Sequence, residues 1–192
     1  MSSIKLSPNA SGTGAFTIAA PNSNTDRTLT LPDNTGTILT TGSASVLPKG
    51  NPAFRATTSP SQTISNATNT KLAANVETFD TASCYNNTGS TVGGIPSYSF
   101  LPNVAGYYQV LGNMQYSGPA YTGLLLIQVW KNNVNYEELT VIGSPVEFSR
   151  VLGSSLVYLN GSTDYIHLNG YQAQGSSRPV ETIFSAFLVR AD

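Results

Sequence analysis

The most regular pattern in the chain is the alternation of residues between positions 105 and 116. Tyr108, Val110 and Met114 fall on one face of an extended segment, while Gln109 and Asn113 fall on the other. A period of two is typical of a β-strand with one buried face. We therefore predict a long strand through this segment.

A second segment, residues 124–131, is apolar on both faces. Leu125, Ile127 and Val129 would point to one side, and three further large residues would point to the other. One side should pack the domain core, and the other should pack against a second surface. The sequence thus predicts an interface between identical copies, with these candidates: Leu124, Leu126, Trp130 and Tyr108.

Turn residues separate further short strands. Asn160-Gly161 divides Leu156–Leu159 from Tyr165–Leu168, and this dipeptide is suited to a tight hairpin because both residues tolerate positive φ. The last predicted strand, Ile183 to Arg190, should form part of a sheet, and its Phe187 side chain should lie in the core. Residues 69–79 have a partly helical spacing but poor helix formers, so we predict strand or loop there. The whole pattern predicts an all-β sandwich or jelly roll.

The first 45 residues differ from the rest. They contain three short β-type runs separated by turn residues, at 16–19, 28–31 and 37–40, and then a Gly/Ser-rich linker at 41–45. So few apolar side chains cannot stabilise an independent monomeric fold. We therefore predict an attachment segment at 1–45 that needs a partner surface, and a head at 46–192.

The composition argues against nucleic-acid-binding proteins and membrane-spanning proteins. Only 10% of residues are charged, and the net charge is -1, so no basic surface for nucleic acid is predicted. No apolar run is long enough to span a membrane. Cys84 is the single cysteine, and the first residues lack a signal-peptide core. We expect a protein that folds in a cytosol.

An ordered set of motifs in residues 52–192 resembles the C1q/tumour-necrosis-factor-like jelly roll. Residues 52–56 resemble the opening strand of that family, and residues 184–188 resemble its closing strand. Residues 98–110, which include Ala105-Gly106-Tyr107-Tyr108, resemble its central signature. The family usually has glycine where Ala186 stands, and no collagen-like stalk precedes the head. The resemblance implies a ten-stranded sandwich that assembles as a homotrimer.

The N-terminal stretch 28–40 is similar to segments that open tail-fibre and other virion-surface proteins of bacteriophages, notably cyanophages. Together the two resemblances imply a virion-surface structural protein: a short tail fibre or appendage, docked to other virion proteins by residues 1–45, whose trimeric head contacts a host glycan or protein. A capsid decoration or cement protein is the first alternative. A non-viral, lectin-like adhesive module is the second.

Catalytic chemistry has little support in the residues. The chain has one histidine, His167, and a metal site usually needs three or four protein ligands, so the remaining metal hypothesis is three copies of His167 on a threefold axis. Glu137 and Glu138 are adjacent and would point to opposite faces of a strand. Three acidic residues carry oxygens that calcium could use, without a calcium-loop spacing: Asp80, Glu147 and Asp164. We predict no enzyme activity and no cofactor.

Tyrosine offers an apolar face and a hydroxyl, which suits contacts with proteins and sugars. Four of the ten tyrosines lie near the ends of predicted strands and are the candidates for exposed surface contacts: Tyr116, Tyr121, Tyr136 and Tyr171.

Overall fold

The computed structural model of the chain describes residues 51–116, 123–143 and 150–192, together with 11–14, 17, 22–26 and 28. The chain divides into two units, Met1–Leu39 and Thr40–Asp192. The described residues of the first unit are exposed. The three predicted N-terminal runs lie almost entirely outside the described residues, and the linker at 41–45 lies wholly outside them.

The described part of the second unit is built from β-strands and contains no helix. The strands are, in chain order, β1 (Ala53–Thr57), β2 (Gln62–Ile64), β3 (Thr70–Lys71), β4 (Val76–Asp80), β5 (Tyr85–Asn86), β6 (Ser99–Phe100), β7 (Ala105–Tyr116), β8 (Leu124–Lys131), β9 (Val134–Gly143), β10 (Arg150–Asn160), β11 (Ile166–Gln172) and β12 (Arg178–Ala191).

Two antiparallel sheets pack face to face. Sheet A has the order β10-β7-β12-β1-β4, with β2 also paired to β12, and sheet B has the order β5-β6-β11-β8-β9, with β3 paired to β11. The strands predicted around 105–116, 124–131 and 183–190 are all present. Residues 69–79 form strand and loop, as the poor helix formers indicated. The all-β sandwich prediction is confirmed.

Aromatic side chains from both sheets form the centre of the core. Phe54 of sheet A stacks on Tyr85 and Phe100 of sheet B, with ring centroids 4.3 Å and 4.7 Å away. Phe184 meets the Phe54 ring edge-on at 4.8 Å. Offset-stacked and edge-on pairs are the arrangements that ring quadrupoles favour. This cluster fixes which side of each sheet faces inward.

The predicted Asn160-Gly161 hairpin is wrong. The strand before it, β10, pairs with β7 in sheet A, and the strand after it, β11, pairs with β8 in sheet B. The turn, with Gly161 at φ 72°, therefore carries the chain from one sheet to the other. The tight hairpin lies instead at Asn132 and Asn133, both at positive φ, between β8 and β9.

The predicted core position of Phe187 is also wrong. Phe184 and Ala186 of β12 face inward and are each 1% exposed, whereas Phe187 points out of the sandwich. The same period of two that buries Phe184 places Phe187, an odd number of residues away, on the opposite side. Ala186 packs in the core where the resembling family usually has glycine.

Candidate functional site

The outward side of sheet A carries an exposed apolar surface, which we call the sheet A face. β7 contributes Tyr107 and Leu111, and β10 and β12 contribute two residues each. These side chains are between 42% and 62% exposed in the protomer: Tyr107, Leu111, Leu152, Leu156, Phe187 and Val189. They amount to on the order of 500 Å² of apolar surface, near the upper end of the largest patch on a typical monomer.

Strand register arranges these residues in rows across the sheet. Leu156 lies beside Gln109, which lies beside Phe187 on the next strand. In another row, Leu152 lies beside Asn113, followed by Ile183. In these two rows, the apolar side chains alternate with amides. Such a mixture is typical of a contact surface that is desolvated when a partner binds.

A shallow hollow lies in the middle of the sheet A face. Its walls are the side chains of Leu111, Leu152 and Ile183, with Asn113 and Ser185 at its margin. The backbones of Gly112 and Gly153, which are paired across β7 and β10, form its floor. A hollow with apolar walls can receive a protruding side chain from another surface.

The outward face of sheet B holds three of the four residues that were predicted for an interface between copies. Leu124, Leu126 and Trp130 of β8 point away from the core, as predicted, but Leu126 is buried within its own protomer and the other two are half-buried. Sheet B is the opposite layer of the sandwich from the sheet A face. The structure therefore does not bring these residues together with the larger exposed apolar surface.

Tyr108 is wrong as an interface candidate, because it is fully buried in the core. Its hydroxyl donates to the Val104 carbonyl oxygen at 2.7 Å, and its ring meets Phe100 edge-on. The neighbouring Tyr107 is the residue that points outward. The alternation in 105–116 places Tyr108 on the inward side of β7 together with Val110 and Met114, and this placement excludes it from an outward contact surface.

The four tyrosines predicted for surface contact separate into different environments. Tyr116 is 2% exposed in the core, so that prediction is wrong. Tyr136 on β9 is 48% exposed and is available to a partner. Tyr171 is half-buried on β11, and Tyr121 lies outside the described residues.

His167 is buried on the outward side of sheet B. Its ring lies between those of Trp130 and Tyr165, with centroids 6.0 Å and 6.4 Å away, and its Nε2 atom is 3.2 Å from the Asn133 side-chain oxygen. Burial, with the Lys71 charge adding to it, lowers the pKa of His167 to about 4. This position is on the layer opposite the sheet A face, so a trimer closed by that face would keep the three histidines away from its axis.

The acidic residues considered for chemistry have structural partners. Glu137 accepts a hydrogen bond from the Ser155 hydroxyl, and Glu138 accepts one from Gln128. Asp80 accepts the backbone N–H groups of Ala82 and Tyr85, which fixes the turn after β4. Backbone N–H groups that donate to a side-chain carboxylate in this way stabilise tight turns.

Asp164 forms an ion pair with Lys131 at 2.8 Å, and Glu147 lies outside the described residues. The single cysteine, Cys84, is buried, and burial raises the pKa of its thiol. Across the described ranges, no group of three or more His, Cys, Asp or Glu residues is placed to hold a metal ion. Within the same residues, no helix is long and apolar enough to cross a membrane.

A polar cleft of about 350 Å³ lies on the open side of the sandwich, between the β4 edge of sheet A and the β5 edge of sheet B. Glu77 faces it from β4, and burial together with the nearby Asp80 charge raises the pKa of Glu77. Asn86 holds the facing loop by donating to the carbonyl oxygens of Ser90 and Ile95 at 2.7 Å and 2.8 Å. Asp80 also lines the cleft, and both of its carboxylate oxygens already accept backbone N–H groups of the turn after β4.

The sheet A face was missed by the sequence reasoning, although a signal for it was present. In β10, Val151, Val157 and Leu159 alternate with Leu152 and Leu156, so this strand is apolar on both sides. The same feature in β8 was used to predict an interface. The sequence did not show that the outer side of β8 is largely buried in its own protomer while that of β10 is exposed.

Comparison with known proteins gives the fold. No family model matches the sequence, and no curated protein matches it. Among solved structures, the globular domain of the zebrafish complement 1qA protein aligns with 74% of this chain and 99% of its own, with a TM-score of 0.54 at 12% identity. The PRD1 vertex protein P5 aligns with 72% of this chain and 98% of its own, with a TM-score of 0.51 at 14% identity. The head therefore has the C1q/TNF-like jelly-roll fold.

Proposed function

We propose that the chain is a structural, non-catalytic protein of a virion surface that assembles as a homotrimer through its sheet A face. The observation that carries this proposal is the exposed apolar surface on β7, β10 and β12. The resemblance of residues 52–192 to a family of trimeric jelly rolls supports the number of copies. The partners found for the candidate acidic residues support a role without catalysis.

The energetic argument rests on the exposed area. Six large apolar side chains about half exposed would gain ~25 cal/mol for each Å² that a second copy removes from water. Over several hundred Å² per protomer this is on the order of 10 kcal/mol, before the costs of association are subtracted. Leaving this face in solvent would forfeit that stabilisation and expose the protein to non-specific association.

Analytical ultracentrifugation of the full chain tests the assembly. We expect a mass near three times 20.2 kDa. Leu156→Asp places a charge on the sheet A face and should give folded monomers. Val141→Asp is the matched control, because Val141 is similarly exposed, 49% against 52%, but lies in sheet B. A monomeric wild type would refute the proposal, and dissociation by Val141→Asp alone would move the interface to sheet B.

For the role on the particle, we propose a short tail fibre or appendage whose head contacts the host surface. The similarity of residues 28–40 to the openings of phage tail-fibre proteins supports this role. The shared fold with the PRD1 vertex protein P5 favours a second candidate, a capsid decoration or vertex protein. Immunogold labelling of intact particles distinguishes them, since label at the tail supports the first and label on the shell supports the second. Particles without label would refute both.

A further inference from the structure

A row of charged and amide side chains crosses one end of the sheet A face. Arg150 of β10 is paired in register with Gln115 of β7, and Gln115 is paired with Glu181 of β12. Both charged residues are exposed, and Arg150 donates a hydrogen bond to the Gln115 side-chain oxygen. The row therefore has a positive end on β10 and a negative end on β12.

The two charges are not paired with each other within the protomer. Two strand spacings of about 4.8 Å put their Cα atoms roughly 10 Å apart. Within the described part of the chain, the structure contains a single ion pair, between Lys131 and Asp164 at another position. Arg150 and Glu181 instead line a shallow depression with Thr57 and Asn113. Each charge is thus accessible to a partner of opposite sign.

In a cyclic trimer whose axis runs parallel to the strands of sheet A, symmetry determines which partner each charge would meet. A threefold interface is heterologous, so one lateral half of the face contacts the other half of the next copy. Rotation about an axis parallel to the strands leaves every residue at its own height along that axis. Arg150 and Glu181 occupy one row and hence one height, so the positive end of one copy would meet the negative end of the next.

We propose that Arg150 of one protomer forms an ion pair with Glu181 of the neighbouring copy, and that three such pairs fix the register of the trimer. This inference rests on the proposed homotrimer. The apolar rows supply the association energy, whereas the charged row selects the arrangement in which opposite charges meet. An arrangement that placed two Arg150 side chains together would be penalised by like-charge repulsion.

Charge reversal of the full chain tests the pair. Arg150→Glu and Glu181→Arg should each raise the concentration of half-dissociation of the trimer by at least about tenfold, because each creates three like-charge contacts. The double variant, Arg150→Glu with Glu181→Arg, restores opposite charges and should return to within about threefold of the wild type. Sedimentation velocity over a dilution series measures all four proteins, and circular dichroism confirms that each is folded.

The outcomes distinguish this pair from the trimer itself. Rescue in the double variant supports the pair. Single reversals without effect, or a double variant that stays dissociated, would overturn the pair, while a trimeric wild type that Leu156→Asp dissociates would keep the proposed function. A wild type that is monomeric throughout the dilution series would overturn both.

Discussion

Alanine substitutions at Phe184 and Phe187, three residues apart on β12, should have different effects: the first on the folding stability of the head, the second on assembly of the trimer. Phe184 is 1% exposed and packs against the rings of Phe54 and Tyr85, with centroids 4.8 Å and 5.8 Å away. Phe187 is 46% exposed on the opposite side of the same strand. Replacing each by alanine removes the same atoms from the same strand, so the two variants differ mainly in which side of the sheet loses them.

Phe184→Ala should lower the free energy of unfolding of the head by about 3–5 kcal/mol, because it opens a cavity in the aromatic cluster between the sheets. Urea unfolding followed by tyrosine and tryptophan fluorescence measures this loss, at one fixed protomer concentration. The variant should still form trimers at urea concentrations where it remains folded, since the sheet A face is unchanged.

Phe187→Ala should act on assembly instead. A phenylalanine of about 200 Å² that is 46% exposed leaves about 90 Å² for a neighbouring copy to cover. At ~25 cal/mol per Å², losing this area costs about 2 kcal/mol per protomer, or roughly 6–7 kcal/mol per trimer. Sedimentation equilibrium should show dissociation at concentrations where the wild type is trimeric. Equal loss of folding stability in the two variants would refute the assignment of the two sides of β12, and unchanged assembly in Phe187→Ala would refute the interface.

Two further predictions concern single residues. Stability should fall as pH drops from about 6.5 towards 4, because the unfolded chain protonates His167 at its ordinary pKa while burial holds the folded pKa at about 4. The difference between these two pKa values corresponds to a loss of at most about 3 kcal/mol in the free energy of unfolding. Urea unfolding at several pH values should show a flatter profile for His167→Gln, and an equally steep profile would contradict the assignment. Gly106→Ala should lower the free energy of unfolding of the head by about 2–4 kcal/mol. The added Cβ would lie 2.2 Å from the Arg190 carbonyl oxygen, and the φ angle of Gly106 is 155°, which other residues rarely adopt. Gly143→Ala, with open space at the added Cβ, is the control in thermal unfolding, and equal melting temperatures would refute the steric argument.

The strands with one buried face could be predicted from the sequence because their signal is local. In β7, the inward residues, such as Tyr108 and Met114, alternate with outward amides, and pleating alone converts that order into a buried and an exposed side. The same holds for β8, where Leu125, Ile127 and Val129 enter the core as predicted. The need for glycine at position 106, in contrast, comes from a distant segment, since the β12 backbone passes too close for a side chain.

The assignment of strands to sheets could not be predicted in this way, because it depends on pairing between distant segments. The Asn160-Gly161 turn was read as a hairpin, yet its flanking strands pair with partners 30 or more residues away. Both a hairpin and a crossover between sheets can use a residue at positive φ. The same dependence on distant segments applies to the interface candidates on β8, since a strand that is apolar on both sides does not reveal which side its own chain covers.

The two outward faces of the sandwich differ in what a second copy would gain by binding. On β8 and β11 of sheet B, the outward side chains of Gln128, His167 and Asn169 are at most 5% exposed, so a partner could remove little further surface from water over these two strands. The exposed apolar side chains of sheet B, such as Tyr136 and Val141, lie on its edge strand β9. Gln128 already links Glu138 and the Trp130 indole N–H by hydrogen bonds. On sheet A, large apolar side chains remain about half exposed and amides lie between them. Association through sheet A therefore removes more apolar area from water and leaves the hydrogen bonds of sheet B intact, which is why we place the interface on β7, β10 and β12.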